Sequence, residues 1–329
     1  MKVVVYSSKS YDRRFLDQAA AGRHHLIHVD TRCDATTAAL ANGADAVCTF
    51  VNDTLDTATL QALYDQGIRL VLLRCAGFNQ VDQAAAAKLG IAVARVPAYS
   101  PHAVAEHTFA LILALSRRIH KAYNRVREGN FALDGLIGMD LHQRTIGVIG
   151  TGRIGTCVVS IARGFGMTVL VSDPLRKSDV EHAGARYVSR DVMLESADVI
   201  TLHCPLSSDS HHLINAASIA AMRQDVMLIN TSRGGLIDTK AVIAGLKSGK
   251  IGHLGLDVYE EEADLFFEDR SDNVIGDDVF SRLLTFPNVL ITGHQAFLTV
   301  DALTNIASTT IDNLDSFVAR RTNPNFLGP

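Results

Sequence analysis

Residues 145–155 read Thr-Ile-Gly-Val-Ile-Gly-Thr-Gly-Arg-Ile-Gly, a short apolar run that leads into closely spaced glycines. Gly150, Gly152 and Gly155 form the pattern G-x-G-x-x-G, and apolar residues then recur at helical spacing. Such glycines permit a tight turn and a close approach of the backbone to a pyrophosphate. The N-terminus of the following helix offers free N–H groups and the positive end of its dipole. We therefore expect these three glycines to bind a dinucleotide.

A second apolar run, 168–172, ends in Asp173, which lies 23 residues after Gly150. A carboxylate at this place accepts hydrogen bonds from the adenosine ribose. Its charge would repel a 2′-phosphate, so Asp173 favours NAD over NADP as the cofactor. Arg176 and Lys177 follow closely and could in principle offset that repulsion, but we interpret them as surface residues.

The alternation of short apolar runs with helical patterns extends along the whole chain. The predicted strands cover 2–6, 25–29, 45–50, 69–74, 91–95, 145–149, 168–172, 198–202, 226–230, 252–256 and 289–292. This alternation indicates βαβ units and parallel sheets. Because the strands are too many for one ordinary sheet, we predict an α/β fold of two Rossmann-like, doubly wound domains with a cleft between them.

Two helical patterns set the predicted domain boundaries. One begins at Ser100 and Pro101 and continues to a stop at Gly129, which predicts one helix of about 42 Å at 1.5 Å per residue. The other follows residue 299, runs to about residue 319 and could return to the first domain. The predicted domains are a discontinuous substrate domain, 1–99 plus 299–329, and a dinucleotide-binding domain, 100–298.

Composition excludes several classes of partner. The chain has 31 basic and 35 acidic side chains and a formal net charge of −4, which gives no general attraction for nucleic acid or anionic membranes. No apolar run reaches the ~18 residues of a membrane span, and the N-terminus lacks the features of a signal peptide. The cysteines are scattered, without a C-x-x-C pair: Cys33, Cys48, Cys75, Cys157 and Cys204. These features are typical of a cytoplasmic protein with reduced thiols.

Three polar residues follow predicted strands in the second half of the chain, namely Arg233, Asp257 and His294. In open α/β sheets, ligands bind outside the carboxyl ends of the strands. A guanidinium can hold a carboxylate through two parallel hydrogen bonds, and a histidine is the usual proton donor to the oxyanion that hydride delivery creates. Arg233 could instead pair with a surface acid, and His294 could be a buried structural histidine. Spacing alone also does not choose a carboxylate partner among residues 260–262.

Several long motifs resemble those of the D-isomer-specific 2-hydroxyacid dehydrogenases, most of all the bacterial fermentative D-lactate dehydrogenases. The matching stretches are VPAYSPHAVAEHT at 96–108, GVIGTGRIG at 147–155, LHCPL at 202–206, INTSRGGLID at 229–238, GLDVYEEEADLFFEDRSD at 255–272 and GHQAFLT at 293–299. The resemblance covers essentially the whole chain and follows the order of the family's motifs.

The resemblance implies roles for particular residues. Arg233 would bind the substrate carboxylate, and His294 would be the acid/base with Glu262 as its partner. Further substrate contacts would come from Ala76, Gly77, Tyr99 and Phe297, whereas Phe50 stands where some relatives carry tyrosine. Beside the three glycines and Asp173, the predicted NAD contacts are Arg153, Ile154, Cys204, Pro205, Ser232 and Asp257.

The expected activity is therefore NAD-dependent, reversible reduction of pyruvate to D-lactate. The alternatives are a related enzyme for a bulkier 2-keto acid and a catalytically silent NAD-sensing protein, against which the set Arg233, Glu262 and His294 argues. The long helix after Ser100 resembles the family's dimerisation element, so a homodimer or homotetramer is expected.

We predict no metal ligands, because no H-E-x-x-H or comparable set occurs. His211 and His212 are interpreted as residues of the surface or of the cofactor's edge. The family resemblance places His203 at the end of a strand along the cofactor cleft, and we give it at most a supporting role.

Overall fold

The computed structural model describes residues 1–328 apart from the side chain of Asp264, so residue 329 of the predicted substrate domain lies outside the described residues. The chain divides into two compact units. The first comprises Met1–Ser100 and the chain from Phe297 onward, and the second is the continuous segment Pro101–Ala296. No helix of the described chain is long and apolar enough to cross a bilayer.

The first unit is built on a five-stranded parallel sheet. Its elements up to Ser100 are β1 (Lys2–Val5), α1 (Ser10–Ala20), β2 (His25–His28), a 3-10 turn (Ala38–Ala41), β3 (Ala46–Thr49), α2 (Thr57–Asp65), β4 (Leu70–Leu73), α3 (Gln83–Leu89) and β5 (Ala92–Arg95). The strand order is β2-β1-β3-β4-β5. Strands β3 and β4 are buried along their whole length, as expected for parallel strands covered on both faces.

The second unit contains a seven-stranded parallel sheet. Its elements are α4 (Pro101–Ser116), α5 (Ile119–Arg127), β6 (Thr145–Ile149), α6 (Arg153–Gly164), β7 (Thr168–Ser172), α7 (Ser178–His182), β8 (Ala185–Tyr187), α8 (Arg190–Ser196), β9 (Val199–Leu202), α9 (Ala216–Ala221), β10 (Val226–Asn230), a 3-10 turn (Gly234–Leu236), α10 (Thr239–Lys247), β11 (Ile251–Leu256), a 3-10 turn (Glu262–Asp264), α11 (Asp278–Leu284) and β12 (Val289–Ile291). The order is β12-β11-β10-β9-β6-β7-β8. Strand order reverses between β6 and β9, and such a switch point is where doubly wound sheets bind ligands.

The chain completes the first unit after the second. Helix α12 (Val300–Val318) begins at Thr299, whose side chain accepts the N–H of Ala302, and it packs against α1. Farther on, the N–H of Leu327 donates to the Val93 carbonyl at 2.8 Å, which attaches the chain to β5. The helix predicted over residues 299–319 is thus confirmed.

Two sequence predictions of secondary structure were wrong. Strand β8 was missed, whereas the other eleven strands of the described chain lie at their predicted places. The single long helix to Gly129 is divided in two, because Arg118 adopts a left-handed conformation with φ of 53° between α4 and α5. The N–H of Met139 donates to the Ser116 carbonyl at 3.0 Å, so the returning chain satisfies a carbonyl group at the end of α4.

Candidate active site

The glycine turn after β6 leaves no room for side chains at two of its three glycines. Gly150 has a φ of 96°, and a Cβ there would lie 2.6 Å from the backbone nitrogen of Cys204. A Cβ on Gly155 would lie 2.0 Å from the carbonyl oxygen of Gly150. At Gly152, which begins α6, a Cβ would meet nothing within 4 Å. The turn is therefore tight where it packs and open at Gly152, which fits the approach of a pyrophosphate to the N-terminus of α6.

Asp173 lies directly after β7 and is fixed beside this turn. It accepts the backbone N–H groups of Thr151 at 2.6 Å and Leu175 at 2.8 Å. Burial opposes its ionisation, but these hydrogen bonds and the nearby Lys177 outweigh burial and lower the pKa of the carboxyl group. The carboxylate is thus charged at neutral pH. Lys177 is not the surface residue we predicted, because it is half-buried and its Nζ donates to the Thr151 carbonyl at 2.7 Å.

The other predicted NAD contacts border the same sheet edge. Arg153 is exposed and Ile154 half-buried in the first turn of α6. The Ser232 hydroxyl donates to the Cys204 carbonyl at 2.8 Å, which joins the loops after β9 and β10. Pro205, next along the β9 loop, is exposed.

His203 is neutral at physiological pH. Burial lowers the pKa of His203 to about 3. Its Nε2 lies 2.9 Å from the Thr201 hydroxyl, and its buried Nδ1 has no hydrogen-bond partner in the part of the chain that the structure describes. A ring that stays uncharged cannot donate a proton as an acid near pH 7, which agrees with the supporting role expected of it.

Arg233 follows β10 in a turn held by a buried side chain that the sequence did not single out. The Asn230 side chain accepts the N–H of Ser232 at 3.0 Å and donates to the Arg233 carbonyl at 2.8 Å. A Cβ on the next residue, Gly234, would lie 2.1 Å from the Tyr259 carbonyl oxygen, so this turn packs directly on the segment after β11. Arg233 itself is half-buried.

His294 and Glu262 form a hydrogen-bonded pair. His294 Nδ1 lies 2.7 Å from Glu262 Oε1, and the two side chains are 17% and 23% exposed. The other carboxylate oxygen of Glu262 accepts the Tyr259 N–H at 2.8 Å. His294 has a left-handed backbone with φ of 54°, and its N–H donates to the Asp257 carbonyl at 2.7 Å. With Nδ1 held by the carboxylate, Nε2 is the ring nitrogen that can serve a substrate.

Asp257 is fully buried at the end of β11, where it fixes the loop that carries His294. Its carboxylate accepts the N–H groups of Gln295 and Ala296, both at 2.9 Å, and the Thr292 hydroxyl at 2.6 Å. His107 Nε2 lies 3.4 Å from the same group. Burial opposes ionisation, but the hydrogen bonds from His107, Thr292 and the loop outweigh it and lower the pKa of Asp257. Its predicted contact with NAD stays a prediction.

The first unit holds the remaining predicted substrate residues. After β4, the carbonyl groups of Ala76 and Gly77 accept hydrogen bonds from the Arg95 guanidinium at 2.9 Å and the Cys75 thiol at 3.2 Å. The Phe297 ring lies 5.7 Å from the Phe50 ring and 6.3 Å from the Tyr99 ring, measured between centroids. The structure thus brings Tyr99 and Phe297 together with Phe50, which has no hydroxyl group.

The strand order, the glycine turn and the charged Asp173 define a dinucleotide-binding protein, and the His294–Glu262 pair gives it an acid/base group. Residues 109–296 match the family described as D-isomer specific 2-hydroxyacid dehydrogenase, NAD binding domain. The chain belongs to the D-isomer specific 2-hydroxyacid dehydrogenase family. This finding confirms the expected family, the enzyme class and NAD as the cofactor.

Similar proteins match almost the full chain. A 2-hydroxyacid dehydrogenase homolog of Haemophilus influenzae is 53% identical over 315 residues, 95% of each chain. A D-lactate dehydrogenase of Escherichia coli is 49% identical over 328 residues, which cover 99% of this chain and 100% of the relative. The solved structure of a D-lactate dehydrogenase from Aquifex aeolicus, complexed with NAD and lactic acid, is 35% identical with a TM-score of 0.88 over 99% of each chain. The predicted doubly wound α/β fold is confirmed as well.

Proposed function

We propose that this protein reversibly reduces pyruvate to D-lactate with NADH. The observation that carries the proposal is the 2.7 Å pair of His294 and Glu262 on the loops after neighbouring strands β12 and β11. Arg233 follows β10, the next strand of the same sheet. Relatives named D-lactate dehydrogenase that match nearly the whole chain support pyruvate and the D-configuration.

The second unit would hold NAD along the switch point of its sheet. The turn of Gly150, Gly152 and Gly155 would receive the pyrophosphate, and Asp173 would accept the adenosine ribose hydroxyls. We assign further contacts to Arg153, Ile154, Cys204, Pro205, Ser232 and Asp257. When bound, the nicotinamide supplies the hydride that reduces the keto group.

The proton comes from His294. Its protonated form donates from Nε2 to the substrate oxygen, while Nδ1–H stays on Glu262 and fixes the ring orientation. In the reverse direction the neutral ring accepts the hydroxyl proton at Nε2. Glu262 stabilises the charged ring through a hydrogen bond to an ionised group, an interaction typically worth about 1.5–3 kcal/mol.

Substrate binding rests on a carboxylate anchor. Arg233 offers a planar fork of N–H donors that matches a carboxylate. In the first unit we assign backbone N–H groups of Ala76 and Gly77, and the side chains of Tyr99 and Phe297, to substrate binding. The Ala76 carbonyl, held by Arg95 at 2.9 Å, lies in the same peptide plane as the Gly77 N–H and so fixes the direction of that donor.

A steady-state assay with NADH and a panel of keto acids tests this function. We expect the highest kcat/KM with pyruvate, a lower value with phenylpyruvate and glyoxylate, and D-lactate as the product in chiral analysis. A preference for phenylpyruvate would assign a bulkier substrate, L-lactate would refute the handedness, and no NADH oxidation with any keto acid would support a non-catalytic NAD-sensing role.

We also propose that the protein acts in the cytoplasm as a homodimer or homotetramer. All five cysteines are free, which suits a reducing compartment. Large apolar side chains on α5 and the segment after it are more than half exposed, a feature of surfaces that another copy covers: Ile119, Tyr123, Val126, Phe131, Leu133 and Ile137. Light scattering after size-exclusion chromatography would measure the mass, and a monomer at micromolar concentration would refute the assembly.

A further inference from the structure

Two histidines and a glutamate converge outside the proposed catalytic residues. His211, His212 and Glu260 each offer one ligand atom, and these three atoms all lie within 4.8 Å of one another. His211 is exposed, and the other two side chains are half-buried. The sequence shows two neighbouring histidines at 211–212, but only the fold adds a carboxylate 48 residues later.

The backbone turns both histidine rings to the same side. Consecutive side chains of an extended chain point in opposite directions, whereas His212 has a left-handed conformation with φ of 49°. The His211 and His212 rings are stacked with centroids 3.9 Å apart. Two contacts hold this turn, since the N–H of His212 donates to the Gly235 carbonyl at 2.9 Å and the Asn215 amide donates to the His212 carbonyl at 3.0 Å.

The carboxylate is oriented as well. Glu260 Oε1 is hydrogen-bonded to His212 Nε2, and Oε2 accepts the Thr239 hydroxyl at 2.9 Å. An outer hydrogen bond of this kind fixes the direction of a metal-ligating carboxylate. An ion pair between His212 and Glu260 would account for two of the three side chains, but it gives no reason for His211 to be stacked against the pair.

We propose that His211, His212 and Glu260 bind a divalent transition metal ion of the Zn²⁺ class. Two imidazoles and one carboxylate suit Zn²⁺ or Co²⁺, whereas Mg²⁺ and Ca²⁺ prefer oxygen ligands alone. Three protein ligands leave the fourth tetrahedral position to water. This inference differs from our expectation that neither histidine is a metal ligand, and it does not depend on the proposed substrate.

The proposed metal site lies close in sequence to Glu262 and is joined to the turn that begins at Arg233. Glu260 precedes Glu262 by two residues, and the Gly235 carbonyl that holds His212 belongs to the turn that begins at Arg233. A bound ion would therefore cross-link the segment after β9 to the segment after β11. Since only the folded protein assembles the three ligands, binding must stabilise the fold.

Calorimetric titration of chelator-treated protein with ZnCl2 tests the proposal, with MgCl2 as the comparison ion. We expect one Zn²⁺ per chain, no saturable Mg²⁺ binding, and at 100 times the Kd an unfolding temperature higher by about 4 °C. His211→Ala and Glu260→Gln should each raise the Kd at least about tenfold. His182→Ala, which removes an exposed histidine at the end of α7, should leave the Kd unchanged.

The absorption spectrum of the Co²⁺ complex identifies the ligands independently. We expect visible bands of a nitrogen and oxygen site that disappear in His211→Ala, without the near-ultraviolet charge-transfer band of a cysteine thiolate. Unfolding of the metal-free variants checks that they are folded. The absence of saturable Zn²⁺ binding, a thiolate band, or a Kd that His211→Ala does not change would each overturn the proposal.

Discussion

Glu262→Gln separates the charge of the catalytic carboxylate from its size. The amide has one oxygen for two N–H donors, the His294 Nδ1–H and the Tyr259 N–H, whereas the carboxylate accepts both at 2.7 and 2.8 Å. Whichever way the amide turns, the protonated imidazole loses the negative charge beside it. Pyruvate reduction uses this protonated form as the proton donor, so the variant should reduce pyruvate more slowly than the wild type.

The size of the effect follows from the geometry of the pair. A hydrogen bond between charged groups contributes about 1.5–3 kcal/mol, and glutamine keeps part of it. Because the two side chains are only 17% and 23% exposed, solvent screens the interaction incompletely. A loss of about 1–2 kcal/mol remains, and at 1.36 kcal/mol per tenfold change in rate it corresponds to a factor of about five to thirty. The value of kcat/KM for pyruvate should therefore fall by about this factor in the variant.

The assay is kcat/KM for pyruvate at pH 7 in the wild type, Glu262→Gln and Glu261→Gln. Glu261 is the exposed neighbouring acid, so its variant controls for the loss of one negative charge on this segment. His294→Gln should lose most turnover at every pH, because glutamine delivers no proton, while NADH affinity is kept in all variants. If Glu262→Gln keeps the wild-type kcat/KM for pyruvate, Glu262 is not the functional partner of His294.

Three further perturbations test the other side chains. Asp173→Asn should lower the ratio of kcat/KM with NADH to kcat/KM with NADPH about fivefold or more, because a like charge at about 4 Å costs about 1 kcal/mol even in water. Equal kcat/KM for both cofactors in the wild type would refute this role. Arg233→Lys keeps the charge but loses the bidentate fork, so kcat/KM for pyruvate should fall about tenfold to a hundredfold, with NADH binding nearly unchanged in a fluorescence titration; normal pyruvate kinetics would contradict the anchor. Asp257→Asn should lower the free energy of unfolding at pH 7 by about 1.5–3 kcal/mol in urea titrations. Folding lowers the pKa of Asp257. The contribution of its carboxylate to the free energy of unfolding is therefore present above the unfolded pKa of about 3.9 and is lost as pH falls through the folded pKa. If the variant and the wild type still differ by the full amount of unfolding free energy below that range, this role of Asp257 is refuted.

The parallel sheets were predictable because buried parallel strands are continuous apolar runs. Strand β8 was not predicted because it lacks such a run. It has only three residues, and exposed Arg186 lies between its two buried positions. The break at Arg118 had no local signal, because neither glycine nor proline stands there. It depends on residues 137–139, which return to the end of α4 through contacts with Ser116 and Arg118.

In the candidate site, too, the sequence predicted the features that neighbouring residues determine and missed those that depend on distant residues. The glycine turn and Asp173 were predictable from their spacing, since one βαβ unit contains all of them. Spacing alone could not distinguish three successive glutamates, and only the family resemblance selected Glu262. In the structure Glu260 contacts His212, Glu261 is exposed and Glu262 contacts His294. The 3-10 turn that begins at Glu262 and the left-handed residue His294 set these different directions.

Because the first unit is discontinuous in the sequence, its two segments are synthesised before and after the second unit. The ribosome completes Pro101–Ala296 before it makes α12 and the segment that attaches to β5. All seven strands of the NAD-binding sheet therefore precede α12 in the chain, whereas the N-terminal sheet lacks its last helix until synthesis ends, which leaves α1 without its α12 partner. A chain truncated at residue 296 would contain all of the second unit and an incomplete N-terminal unit, whose exposed apolar surface makes it the part of the unfinished protein that most needs a chaperone.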